Sequence, residues 1–112
     1  MSSNIIELTE ANFSELLEQP FLLIDFWAEW CAPCKAFSGV IKQVAPHYPE
    51  VVFAPLNVDE QAGLAEEFEV KSIPRVMILR ERTVVYDDAG LLTVTSLREL
   101  LDSARNIDLA QL

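Results

Sequence analysis

The sequence predicts an α/β fold, a mixed five-stranded sheet with helices on both faces, and three observations predict it. Strand-like apolar runs alternate with segments of helical spacing, in the order strand, helix, strand, helix, strand, helix, two hairpin strands and helix. The run from Phe21 to Trp27 is apolar at every position but Asp25, as expected of a strand covered on both faces. The length, 112 residues of 51% hydrophobic composition, fits one compact domain with a sizeable core and leaves no room for a second. That domain is expected to span residues 1–112, with its core from about 5 to 105 and a tail at 106–112.

Taken in order, Ile5 to Leu8 reads as an edge strand. Thr9 or Asn12 is expected to cap the next helix, Asn12 with Glu15 three residues later giving the better pattern, and the apolar face of that helix is Phe13, Leu16 and Leu17. Gln19-Pro20 stops it ahead of the central strand. The following helix starts at the cysteines and carries Phe37, Val40, Ile41 and Val44 at helical spacing, with Gly39 as an interruption. Pro46 and Pro49 end it around His47, which reads as a surface residue. Val51 to Val58 returns as a second apolar strand. Within it Pro55 predicts a bulge or an unpaired site, because proline has no N–H to give a ladder. Asp59 to Gly63 opens a short helix with Leu64, Ala65 and Phe68 turned inward. Val76–Leu79 and Thr83–Tyr86, on either side of Arg80-Glu81-Arg82, form an antiparallel hairpin, and Asp87 to Gly90 forms a loop. A last helix begins among Thr93 to Ser96, with Ser96 and Glu99 as its capping box, and buries Leu97, Leu100, Leu101 and Ala104. The tail either extends this helix or frays.

Charge excludes whole classes of partner. Eighteen acidic against eight basic residues give a formal charge of −10, which repels phosphate backbones and anionic lipid, so neither nucleic acid nor a membrane surface is expected as a partner. The start at Met1 has no basic segment leading into an apolar stretch, and no segment is long enough to span a bilayer. A reducing cytoplasm is the expected location.

Function is concentrated in Trp30-Cys31-Ala32-Pro33-Cys34-Lys35, which holds the only two cysteines. A strand feeding a helix here places Cys31 at the helix N-terminus, where free N–H groups and the macrodipole favour an anion, here a thiolate. Pro33 suits the first turn because it gives up no intrahelical hydrogen bond there. Cys34 follows by three residues, so the two side chains share a face and their sulfurs could close a small, reversible disulfide ring. Two other readings are open to such a pair, filling the core and holding zinc. Zinc needs four ligands, and beyond the cysteines the chain offers only His47. Redox chemistry is the reading that a CxxC beside a βαβ pattern supports. Asp25, interrupting an apolar strand shortly before the cysteines, is either a buried carboxyl reluctant to ionise or the exposed end of that strand.

The stretch Asp25-Phe26-Trp27-Ala28-Glu29-Trp30-Cys31-Ala32-Pro33-Cys34-Lys35 resembles the active-site stretch of the thioredoxin family, with Ala32 where glycine is usual. The resemblance continues through Leu56-Asn57-Val58-Asp59 and Val70-Lys71-Ser72-Ile73-Pro74, ends near Gly90, and covers roughly residues 5 to 105. It implies a thioredoxin-like fold and a protein disulfide oxidoreductase. In that mechanism Cys31 attacks a protein disulfide, Cys34 resolves the mixed disulfide, and Asp25 accepts and returns the proton of Cys34. The implied substrate-binding residues are Trp30, Ala32 and Pro33 around the sulfur, then Ile73, Pro74, Arg75 and Gly90. Pro74 is implied to follow a cis bond that sets the Ile73 backbone beside Cys31, where an extended substrate could pair with it. No cofactor is implied beyond the Cys31–Cys34 disulfide, and no metal.

The implied partners are disulfide-containing proteins and thioredoxin reductase, with the protein acting as a monomer. A specialised oxidant or isomerase stays open, and so does a binding module that uses the disulfide as a switch. Three departures from the family pattern stand out. Gly39 occupies the place of a helix-bending proline. Pro55 stands where a lysine often neighbours the buried aspartate. Arg75 stands where threonine is usual. As a lone cation Arg75 would favour the Cys31 thiolate and attract acidic residues flanking a target disulfide; otherwise it is a solvated arginine.

Overall fold

The computed structural model describes residues 3–111; Met1, Ser2 and Leu112 fall outside them, and with them the readings made for the first residues and the end of the tail. In chain order the elements are α1 (Phe13–Leu17), β1 (Phe21–Trp27), α2 (Ala32–Val44), β2 (Val52–Asn57), α3 (Ala62–Glu67), β3 (Arg75–Arg80), β4 (Thr83–Ala89) and α4 (Val94–Arg105). Single 3-10 turns follow α2 at Ala45–His47 and α4 at Leu109–Gln111. The sheet order is β2-β1-β3-β4, with β1 parallel to β2 and the other pairs antiparallel. Strand β1 is therefore interior, which explains its apolar run.

The sheet has four strands among the described residues, not five. Ile5 makes one parallel bridge to Phe53 instead of opening a strand. The bonds present are Phe53 N–H to Asn4 O (2.8 Å), Ile6 N–H to Phe53 O (2.9 Å) and Leu8 N–H to Pro55 O (2.8 Å). In a parallel ladder the next donor along β2 would be the N–H of residue 55, aimed at the Ile6 carbonyl. Pro55 has none, so the ladder stops after one bridge. No bulge forms at Pro55: the β1–β2 register runs unbroken from Leu22↔Val52 to Trp27↔Asn57. The irregularity in the sheet lies instead between Ile78 and Leu79 in β3–β4.

Alternation along β1 divides the core between the two faces of the sheet. Phe21 and Leu23 pack with Val76 and Ile78 against Phe37, Ile41 and Val44 of α2 and Leu97, Leu101 and Ala104 of α4. Leu22, Ile24 and Phe26 pack with Met77 and Leu79 against Leu8, Leu16 and Leu64. Each of these side chains other than Ala104 contributes on the order of 1.5–3 kcal/mol when fully buried, so both layers fix the sheet between helices.

Several local expectations are corrected. Asn12 does not cap α1: its carboxamide accepts from Thr9 N–H and donates to the Glu7 carbonyl, both at 2.8 Å. The last helix is capped by Thr93, whose Oγ1 accepts from Ser96 N–H at 3.0 Å, so Ser96 lies inside α4 and forms no box with Glu99. Asp87 to Ala89 belong to β4 and not to a loop. The hairpin turns through Glu81 and Arg82 alone, at φ 48° and 66°. Two non-glycine residues in the left-handed region make this a strained way to build such a turn.

Helix α2 runs uninterrupted through Gly39. Gly39 is exposed, and a Cβ there would meet nothing within 4 Å. Gly39→Ala is therefore expected to stabilise the fold by about 0.5–1 kcal/mol, read as a higher urea midpoint at unchanged m-value. An unchanged or lower midpoint would mean that α2 needs the freedom of glycine at this point.

Candidate active site

The strand-to-helix connection does what the spacing of the cysteines requires. Cys31 is the N-cap of α2, with φ −96° and ψ 102°, and its Sγ accepts from the Cys34 backbone N–H at 3.3 Å. A thiolate at Cys31 would thus meet a donor of the first turn at the positive end of the helix. Pro33 sits in that turn without breaking a bond. The cysteines are joined as a disulfide, with their Cα atoms 5.3 Å apart. Cys34 is fully buried and Cys31 nearly so, packed with Ala28, Trp27, Val58 and Ile73. Ala32 and Pro33 are exposed beside them.

Trp30 stands out into solvent at 71% exposure, and its Nε1–H donates to Asp59 Oδ2 at 2.9 Å. Asp59 is in turn held by Asn57, for which the sequence suggested no role of its own. Asn57 is buried at the end of β2, and its Oδ1 accepts from the N–H groups of Asp59 (2.9 Å) and Glu60 (3.1 Å). An asparagine closing a strand ahead of Asp-Glu is the available sequence signal for such a turn.

The Ile73–Pro74 bond is cis, Ile73 packs against the cysteine cluster, and Pro74 is buried. The Pro74 carbonyl accepts from Gly90 N–H at 2.8 Å. Gly90 has φ +124°, a conformation that favours glycine, and links the end of β4 to this segment.

Asp25 is 2% exposed, so the exposed-end reading of this carboxyl does not hold. Its Oδ1 is buried without a hydrogen-bond partner. Burial pushes its pKa up to about 7, with no neighbouring charge contributing. The cross-strand partner of Asp25 is Pro55, which offers neither charge nor donor. Asp25 borders a cleft of about 620 Å³, with Trp27, Pro55, Ser38, Lys35 and Lys42 in its walls. Trp27 is half-buried, and its Nε1 is also without a partner. Lys35 is tied to Glu29 at 3.2 Å. A larger hollow, of about 790 Å³ at Asn4, Lys42, Pro46 and Pro49, reaches neither cysteine nor Asp25.

Arg75 departs from expectation. It is neither a lone cation nor solvated: its guanidinium is forked onto Asp87 and stacked on Phe26, with the side chain 16% exposed. Strand alternation puts it on the Phe26 and Met77 face of the sheet, whereas α2 covers the other face.

Among the described residues no group of three or more His, Cys, Asp or Glu could hold a metal ion, and no helix is long and apolar enough to cross a membrane. The thioredoxin family model matches residues 4–103. A protein of Streptomyces coelicolor described as a thioredoxin 2 is 39% identical over 108 residues, covering 96% of this chain and 81% of the relative. Thioredoxin C-3 of Corynebacterium nephridii is 40% identical over 99 residues, covering 87% and 68%. Thioredoxin of Buchnera aphidicola is 34% identical over 107 residues, covering 93% and 99%. With relatives at this identity along most of both chains, and a disulfide-bonded CxxC at the start of α2, this chain belongs to the thioredoxin family of thiol–disulfide oxidoreductases.

Proposed function

We propose that the protein reduces disulfides in other proteins, with Cys31 as the attacking sulfur, Cys34 as the resolving one and Asp25 as the acceptor and donor of the Cys34 proton. The unequal placing of the two sulfurs carries this reading: Cys31 caps the helix beside exposed Ala32 and Pro33, while Cys34 lies inside the fold. In the dithiol form, Cys31 thiolate attacks one sulfur of the substrate disulfide, forming a mixed disulfide and expelling the other sulfur as a thiolate. Asp25 takes the proton of Cys34. The new thiolate attacks Cys31 Sγ, breaks the mixed disulfide and releases the second substrate thiol. Two electrons have then passed to the substrate, and the protein holds its own disulfide. An external dithiol donor must restore it, and in this family that points to thioredoxin reductase.

The substrate chain lies extended along Ile73, pairing with its backbone, with Trp30, Ala32, Pro33, Pro74 and Gly90 around the target sulfur. A reducing compartment, the cytoplasm, suits a protein whose working form is the dithiol. The protein acts as a monomer, since one chain carries both sulfurs and the acid. The test pairs turnover with equilibrium. The protein is expected to accelerate insulin reduction by dithiothreitol, and its Cys31/Cys34 potential to lie below that of the glutathione couple. A potential well above that couple would make the protein an oxidant, and failure to turn over would leave it a binding module.

A further inference from the structure

Arg75 follows Pro74 directly, yet its side chain works on the opposite face of the sheet from the helix that carries the cysteines. Its Nε and Nη2 donate to Asp87 Oδ1 and Oδ2, each at 2.8 Å, and its Nη1 donates to the Phe68 carbonyl at 2.7 Å. The guanidinium lies 5.0 Å from the centre of the Phe26 ring, and Phe26 meets Phe68 edge-on at 5.2 Å. The pairing with Asp87 holds that carboxyl below its ordinary pKa. These contacts close a loop. Phe68 ends α3, Glu69 turns the chain at φ 52°, and the irregular segment 70–74 then delivers Ile73 to the cysteine cluster. One guanidinium thus clamps the carbonyl at the start of the segment to the residue at its end, and ties both to β4. Gly90 N–H on the Pro74 carbonyl adds a second anchor from the same end of β4.

Resting on the reading of Ile73 as the substrate-pairing residue, we propose that Arg75 is a positioning residue, a latch that fixes the Ile73 backbone for an extended protein substrate. The guanidinium itself touches no substrate. Its fork is essential, because two carboxylate oxygens and one carbonyl must be held at once, and a lysine ammonium cannot match that planar geometry. A small disulfide has no main chain to pair, so its reduction does not use the latch.

The test compares the parent with Arg75→Thr, Arg75→Lys, Asp87→Asn and the Arg75→Thr/Asp87→Asn pair. Insulin and a small aromatic disulfide serve as substrates, and amide exchange is followed at Val70 and Gly90, whose N–H groups donate to the Ala65 and Pro74 carbonyls on either side of the segment. The latch predicts that every variant raises the insulin KM by about fivefold at nearly constant kcat, as loss of uniform binding does. Reduction of the small disulfide should be unchanged, the double variant no worse than Arg75→Thr, and exchange at both amides about tenfold faster. The Asp87→Asn variant, which keeps an isosteric side chain, preserves the test if Arg75→Thr folds poorly. An insulin KM that falls in Asp87→Asn while rising in Arg75→Thr would overturn the latch, because it would mean that a freed Arg75 contacts substrate directly. Equal losses on both substrates, or none, would overturn it too. A parent that reduces neither substrate would instead sink the reading of function, and the latch with it.

Discussion

Cys34→Ser is expected to accumulate mixed disulfides with substrate proteins, whereas Cys31→Ser captures almost none. The two sulfurs are close in sequence but unequal in position. Cys31 caps α2, where it already accepts the Cys34 N–H at 3.3 Å, while Cys34 is 0% exposed. On the proposed roles an incoming disulfide reaches the first, 5% exposed beside open Ala32 and Pro33, and not the second. With residue 34 as serine the first step still runs, because Cys31 needs no partner to attack. The second step has lost its nucleophile, so the covalent intermediate persists. With residue 31 as serine the attacking sulfur is gone. Steady-state reduction should fall on the order of 10³-fold or more in both variants, since neither completes the cycle. Non-reducing electrophoresis after incubation with an oxidised substrate protein separates the outcomes. Equal trapping by the two variants would show that both sulfurs reach substrate, and the assignment of roles would fail.

What could be read from the sequence and what could not divides along one physical line. Local signals were legible: the Cys31–Cys34 spacing, Pro33 in the first turn and the apolar run of β1 each depend on neighbours in the chain. The absence of a fifth strand among the described residues was not, although Pro55 had been marked as a break in pairing. Which carbonyl a proline leaves without its donor depends on which side of β2 its nitrogen faces, and that is fixed by the N-terminal segment. Arg75 was misread for the same reason. Beside Pro74 in sequence it looked like a cation near the sulfur, but the β1–β3 register places it with Phe26, and Asp87 comes from another strand. Asn12 and Ser96 were credited with caps because their spacing was right. Asn12 turns to Thr9 and Glu7, and Thr93 takes the cap of α4. Asp25 was ambiguous within a strand, and its burial depends on what the rest of the fold packs around that strand.

That burial makes Asp25→Asn separate stability from activity as pH changes. In the unfolded chain this carboxyl ionises near 3.8, and in the fold burial raises its pKa to about 7. Between these values the folded state holds a proton that the unfolded state has lost, so the unfolding free energy falls as pH rises. The contribution of neutral Asp25 is therefore fully present below about pH 4 and lost progressively until about pH 7. A shift of this size corresponds to a decline on the order of 4 kcal/mol across that window. The carboxamide of the substituted side chain cannot ionise. The Asp25→Asn variant and the parent should thus be similarly stable near pH 4, and the variant more stable at pH 8 by several kcal/mol, in urea titrations at a series of pH values. Activity should move the other way. Near pH 7 about half of Asp25 is ionised, which suits a group that must both take and return a proton. Without it, Cys34 must give its proton to water, and release of substrate from the Cys31 mixed disulfide should slow by roughly tenfold or more at neutral pH. The loss should shrink at higher pH, where hydroxide substitutes for the missing base. A variant that unfolds more easily than the parent at pH 8 and resolves mixed disulfides at the parental rate would make Asp25 a structural residue, and the proton of Cys34 would need another acceptor.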